Sequence, residues 1–179
     1  MKTKALVITA SVGGGIQIAG TLITTVLSWW FYTFAVDLGR SADPSQFQGI
    51  GVLGAVIAGF SLLLSPALYI GMGILYTFLH HREEPPVTAD QAALGGAVAA
   101  FVARFTSGIV GAALTIIGTA FMSRQLAATV PPGQELPFLG ISMLSTGIGS
   151  MFGICIGGLV GASVAAIAGA ITAAVLERR

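Results

Sequence analysis

The sequence predicts an all-α membrane protein, a bundle of four transmembrane helices forming a single domain over residues 1–179. Three observations carry this. The chain is 55% hydrophobic and 8% charged, where soluble domains carry about 25% charged residues. Mean hydropathy is +0.91. Four apolar runs each exceed the roughly 20 residues that a helix needs to cross a bilayer. Helix is the expected form, because lipid offers no partner to an unpaired backbone N–H or C=O. A barrel would show short alternating strands, whereas these runs are long and continuous.

The runs cover residues 5–36, 47–79, 92–122 and 138–176. Lys2 and Lys4 ahead of Ala5–Val12 resemble the start of a signal peptide. Apolar character continues to Val36 without a convincing cleavage site, so the segment reads as the first span. All four runs are longer than a bilayer core of about 30 Å demands at ~1.5 Å per residue. Helices of this length tilt, project into water or break. Gly13-Gly14-Gly15 is a candidate break and Ser65-Pro66 a candidate kink.

Three short polar connections separate the spans. The first holds Asp37, Arg40, Asp43 and Pro44; the second runs from His80 to Asp90; the third holds Arg124, Pro131, Pro132, Glu135 and Pro137. With four spans, Lys2, Lys4, Arg82, Arg178 and Arg179 share one side, and Arg40 and Arg124 the other. The positive-inside rule then puts both termini in the cytoplasm of a cell-membrane protein. Trp29-Trp30-Phe31-Tyr32 falls at the outer interface, and Tyr76 and Phe78 form an inner belt. At an offset of 88 residues, Gly20 falls on Gly108, Leu38 on Leu126, Pro44 on Pro132 and Gln46 on Gln134. That register suggests two tandem helical hairpins in the same orientation.

The fourth span carries the most specific pattern. Small residues recur every four positions at Gly149, Gly153, Gly157, Gly161, Ala165, Gly169 and Ala173. Lipid tails are as apolar as Leu, so helices in a membrane associate by close contact along small side chains. This ladder is therefore the expected packing axis, within the chain or between subunits. Shorter echoes are Ser11, Gly15 and Ala19; Gly51, Ala55 and Gly59; and Ala92, Gly96, Ala100, Gly108 and Ala112, where Arg104 fills the missing rung.

Arg104 is the one ionisable side chain deep in an apolar run. An Arg at the helix centre costs about 2.5–3.5 kcal/mol on insertion scales, which by default marks a function or a partner. Eighteen uncharged residues, Phe105 to Met122, follow it, so the third helix could begin in the cytoplasm with Arg104 snorkelling at the inner interface. A hydrogen bond to Gln17 or to backbone carbonyls is the second reading, and a solute path the third. Gln17, the matching polar residue in the first span, suits a bond across helices.

The remaining patterns argue against chemistry. The scattered basic residues and net charge of +1 give no nucleic-acid footprint. Cys155, the one cysteine, reads as a small hydrophobe in a packed helix. His80-His81 reads as part of a solvated loop; neighbouring His on a helix diverge by about 100°, which is poor for shared ligation. Gly13-Gly14-Gly15 lacks the Lys-Ser/Thr of a phosphate loop. No nucleophile triad, CxxC or HExxH occurs. No catalytic residue, metal or cofactor is expected. The expected partners are the lipid bilayer and other membrane subunits or a second copy. The expected role is a non-enzymatic accessory subunit or self-associating scaffold acting through small-residue packing. A small-solute transporter or channel component, with Arg104 and Gln17 in a polar cavity, is the competing expectation.

Overall fold

A computed structural model of the chain contains four α-helices: α1 Thr3–Ser41, α2 Pro44–Glu83, α3 Ala89–Ala127 and α4 Glu135–Glu177. The backbone is described outside residues 1–2, 42–43, 84–85, 128–134 and 179, and side chains over 3–30, 33, 63–83, 86–121, 144 and 147–178. The described residues are all-helical apart from a short connection at 86–88 and a turn at Arg178. Four stretches, Thr3–Trp30, Leu63–Glu83, Ala89–Phe121 and Gly147–Glu177, are long and apolar enough to cross a membrane, as a multi-pass membrane protein requires.

The helices contain 39 to 43 residues, or roughly 60 Å of length each. They overrun the apolar runs and absorb most of the polar connections. Asp37 and Arg40 continue α1, Arg124 continues α3, and Pro44 opens α2, a position where its missing N–H loses no helical bond. Gly13-Gly14-Gly15 does not break α1, and α2 continues through Pro66. His80 and His81 lie on the last turn of α2 rather than in a loop, with Arg82 beside them. Positive charge there complements the C-terminal end of the helix dipole. After residues 86–88, Thr88 caps α3. Its carbonyl accepts the Ala92 N–H at 3.0 Å, its hydroxyl oxygen accepts the Gln91 N–H at 3.4 Å, and Asp90 sits in the first turn.

Among the described residues, α3–α4 is the largest interface. α2 and α3 each touch all three other helices, whereas α1 and α4 do not touch among the described residues. The bundle is therefore a rhombus with α2 and α3 on its short diagonal. Lys4 Nζ lies 4.0 Å from Glu83 Oε1, and Val87, Ala92 and Ala173 pack together. The start of α1, end of α2, start of α3 and end of α4 thus share one charged end. At the other end, Trp29 and Phe121 meet edge-on with ring centroids 5.5 Å apart.

The core is built from small side chains around two larger ones: Ala99, Ala100, Ala103 and Ala165 surround Tyr69 and Met72. Large apolar side chains stand outside on every helix, among them Ile23, Leu63, Ile117 and Met151. A soluble monomer rarely exposes contiguous apolar surface on this scale.

Candidate functional site

Three backbones converge where α2, α3 and α4 cross. A methyl group on Gly96 would stand 3.0 Å from the Ala165 carbonyl oxygen and 3.3 Å from Gly73 Cα. One on Gly73 would collide with the Ala165 carbonyl itself. One turn nearer the charged end, a methyl on Gly169 would lie 2.7 Å from the Ala92 carbonyl oxygen. Thr77 reinforces this crossing from α2. Its hydroxyl is 2.9 Å from the Gly73 carbonyl and 3.3 Å from the Gly169 carbonyl, so its one proton serves either helix.

The predicted ladder on α4 divides in two. Ala165, Gly169 and Ala173 are buried in the bundle, and Gly161 lies against the Tyr69 ring. Gly157 carries the Arg104 guanidinium, whose Nε would stand 3.1 Å from a methyl there. Gly149 and Gly153 are exposed and face open space. The physical reason is angular: a four-residue step advances about 40° around a helix, so the whole ladder cannot stay on one face. The seam continues instead through Gly158, against Phe101, and Ile154, against Gly108. On α1 the expected stripe of Ser11, Gly15 and Ala19 is exposed, while Gly13 packs on Met72 and Gly14 on Ala103. Gly51, Ala55 and Gly59 lie outside the residues whose side chains are described.

Arg104 and Gln17 belong to one polar layer to which α1, α2 and α3 contribute side chains and α4 its backbone. The Ser107 hydroxyl lies 2.7 Å from Gln17 Oε1 and 3.1 Å from the Arg104 carbonyl oxygen. The Tyr69 hydroxyl lies near both the Gln17 side chain and the Arg104 charge. Arg104 Nη2 donates to the Gly153 carbonyl at 3.4 Å, and Nε is buried without a hydrogen-bond acceptor. The side chain thus runs over α4 from Gly157 to Gly153. Because α4 descends toward the charged end, this direction leads away from that end. Arg104 does not snorkel toward Lys4, Arg82 and Arg178; it takes the backbone-carbonyl bond instead.

Several placements differ from the sequence expectation. Tyr76 is buried against Gly95 rather than standing in an interfacial belt, although Phe78 beside it is exposed. His80 is buried, its ring 5.6 Å from that of Tyr76. Cys155 is exposed on α4, not packed. The sequence reading passed over Tyr69, Gly73 and Ser107. Ser107 had a signal, since a residue three positions after Arg104 lies on nearly the same helical face. Gly73 had a weak one, since its four-residue series is the single pair with Thr77.

A groove of about 630 Å³ between α1 and α2 is lined by Val12, Ile16, Leu68, Met72 and Leu75, and no polar side chain enters it. No group of three or more His, Cys, Asp or Glu side chains suited to a metal ion occurs among the described residues. No protein-family model, curated protein or solved structure matches the chain.

Proposed function

We propose that the chain is a non-enzymatic integral protein of the cell membrane, with both termini cytoplasmic. It acts through helix packing, as an accessory subunit of a larger membrane complex or as a self-associating scaffold. The carrying observation is the set of small residues left uncovered: Gly149 and Gly153 on α4, and Ser11, Gly15 and Ala19 on α1. In lipid, such positions let a further helix approach closely, and lipid-facing positions gain nothing from being small. Orientation rests on the excess of Lys and Arg at the shared end of the bundle. Native mass spectrometry from nanodiscs tests the proposal. The expected species is an oligomer or a defined complex, weakened by Gly149→Leu with Gly153→Leu; a partner-free monomer sinks it.

A second reading, solute passage, is favoured by the polar layer of Gln17, Tyr69, Arg104 and Ser107. Its expected outcome is a flux in reconstituted vesicles that Arg104→Ala and Gln17→Ala abolish. Equal flux in wild type and variants removes it.

A further inference from the structure

Among the described residues, α1 and α2 form the smallest interface of any touching pair. They close on each other where Gly13 packs on Met72, and at the charged end, where Lys4 Nζ lies 4.0 Å from Glu83 Oε1. Beside these contacts they leave the groove of about 630 Å³, a volume within the range of small-molecule sites. Ala67 and Gly71 line it from α2, and a methyl on Gly71 would meet nothing within 4 Å. Larger apolar side chains stand around them: Val12 and Ile16 from α1, and Leu64, Ile74 and Phe78 from α2. All five are exposed, so the groove opens outward.

The groove runs toward a polar end. Leu64, Ala67, Gly71, Ile74 and Phe78 follow steps of three and four residues, which keep them on one face of α2. The next such steps reach His81 and Arg82. Arg82 is exposed and stands four residues beyond Phe78, about 6 Å of helix. Lys4 precedes Val12 by eight residues, about 12 Å. Its side chain is 78% exposed, and the contact with Glu83 brings its ammonium to the end of α2. Lys4 and Arg82 against Glu83 leave this mouth with one net positive charge among the described residues. In the other direction the groove extends from Phe78 to Leu64, fourteen residues or about 21 Å. One leaflet of hydrocarbon is about 15 Å deep, so the groove can follow a lipid chain through its leaflet.

We propose that this groove seats one acyl chain of an anionic phospholipid, whose phosphate lies at Lys4 and Arg82. Surrounding lipid is as apolar as the groove, so no hydrophobic force selects the occupant; shape and charge do. A second helix is about 10 Å across and approaches closely only over small residues. Here the exposed side chains of Ile16, Leu64, Ile74 and Phe78 hold it away from Gly71. An acyl chain is narrow, passes between them and restores the van der Waals contacts that an empty groove forfeits. The headgroup supplies the selectivity, because basic residues at the membrane surface attract anionic lipid. The site rests on the chain spanning a membrane and is independent of the assembly reading.

The test is native mass spectrometry of the full chain, delipidated in detergent and titrated with phosphatidylglycerol or phosphatidylcholine of identical acyl chains. The expected result is one saturable phosphatidylglycerol adduct, bound about fivefold more tightly than phosphatidylcholine, as one net cation at the surface provides. Lys4→Gln with Arg82→Gln should bring the two lipids within about twofold. Gly71→Leu fills the groove without striking the bundle and should weaken phosphatidylglycerol binding severalfold. Gly20→Leu, also in open space but outside the groove, should leave it unchanged. Equal affinity for the two lipids in the wild-type chain overturns the proposal. So does wild-type affinity in Gly71→Leu, which would place the lipid on another face. A chain that does not enter nanodiscs at all removes the membrane reading together with the site, whereas entry with equal lipid affinities removes the site alone.

Discussion

At the residue scale, the bundle turns on a few positions where a hydrogen atom and nothing larger fits. Gly73 meets the Ala165 carbonyl, which cannot rotate away as a side chain could. Gly73→Ala is therefore expected to destabilise by about 1–3 kcal/mol, the range for overpacking a well-filled core. Gly15 and Gly20 have open space at the same position. There Ala should gain up to about 1 kcal/mol from helix propensity. Reversible unfolding in mixed micelles by a denaturing detergent separates the two signs. A second pair isolates one contact. Gly161→Ala strikes the Tyr69 ring, so its penalty should largely vanish in a Tyr69→Ala background. The expected coupling is about 1–2 kcal/mol in a double-mutant cycle. Additive penalties would show that the ring does not define this position.

At the element scale, α1 is held differently from the rest. It makes no contact with α4 among the described residues, and it packs through Gly13 on Met72 and Gly14 on Ala103. The Ser107–Gln17 hydrogen bond ties the same stretch to α3. Gly14→Leu should push α1 off α3 and raise amide exchange along Ala10–Thr21 at least tenfold. Gly20→Leu, on the same helix and facing open space, should leave exchange unchanged. Similar exchange in the two variants would contradict the packing. The Lys4–Glu83 pair joins α1 to α2 but is largely exposed on the Lys4 side. Lys4→Ala is expected to change stability by less than about 0.5 kcal/mol.

At the scale of the whole molecule, the described exterior is apolar on all helices while the shared end carries Lys4, Arg82, Glu83 and Arg178, which is the distribution a bilayer selects. Cys155 reports on it, because it is exposed on α4 between Met151 and Leu159, two exposed apolar residues. In sealed vesicles, a charged thiol reagent should leave Cys155 unmodified, and an apolar maleimide should label it. Arg178→Cys in a Cys155→Ala chain should be labelled by the charged reagent only from the cytoplasmic side. Rapid labelling of Cys155 by the charged reagent would place it in water and refute the membrane reading.

Much of this fold was legible in the chain. Hydropathy and length marked four helices, and the polar connections marked their order. The near-even apolar character that identified the spans also hid their inward faces. With lipid outside and Ala or Gly inside, hydrophobicity no longer points to the core. Four-residue spacing named Ala165, Gly169 and Ala173 as packing residues. It also named Gly149, Gly153, Gly15 and Ala19, which face outward. Gly13 stands four positions after Thr9 and eight after Ala5, and Gly73 four before Thr77, so the Thr in each run masked the spacing. Arg104 and Gln17 stood out as polar residues in apolar runs, but their company did not.

The sequence by itself determined four long apolar helices, three short connections, the charged ends and the existence of one internal cation. Those properties depend on composition along the chain and on the requirement that buried backbone be paired. Only the tertiary structure decided which small residues meet, and that Arg104 turns away from the charged end to lie on Gly157 and reach the Gly153 carbonyl. It also brought Arg104 level with Gln17 and Tyr69. These depend on the azimuth and depth at which helices cross. In a chain apolar on all faces, azimuth and depth are set by close backbone approach between helices, which no single helix records.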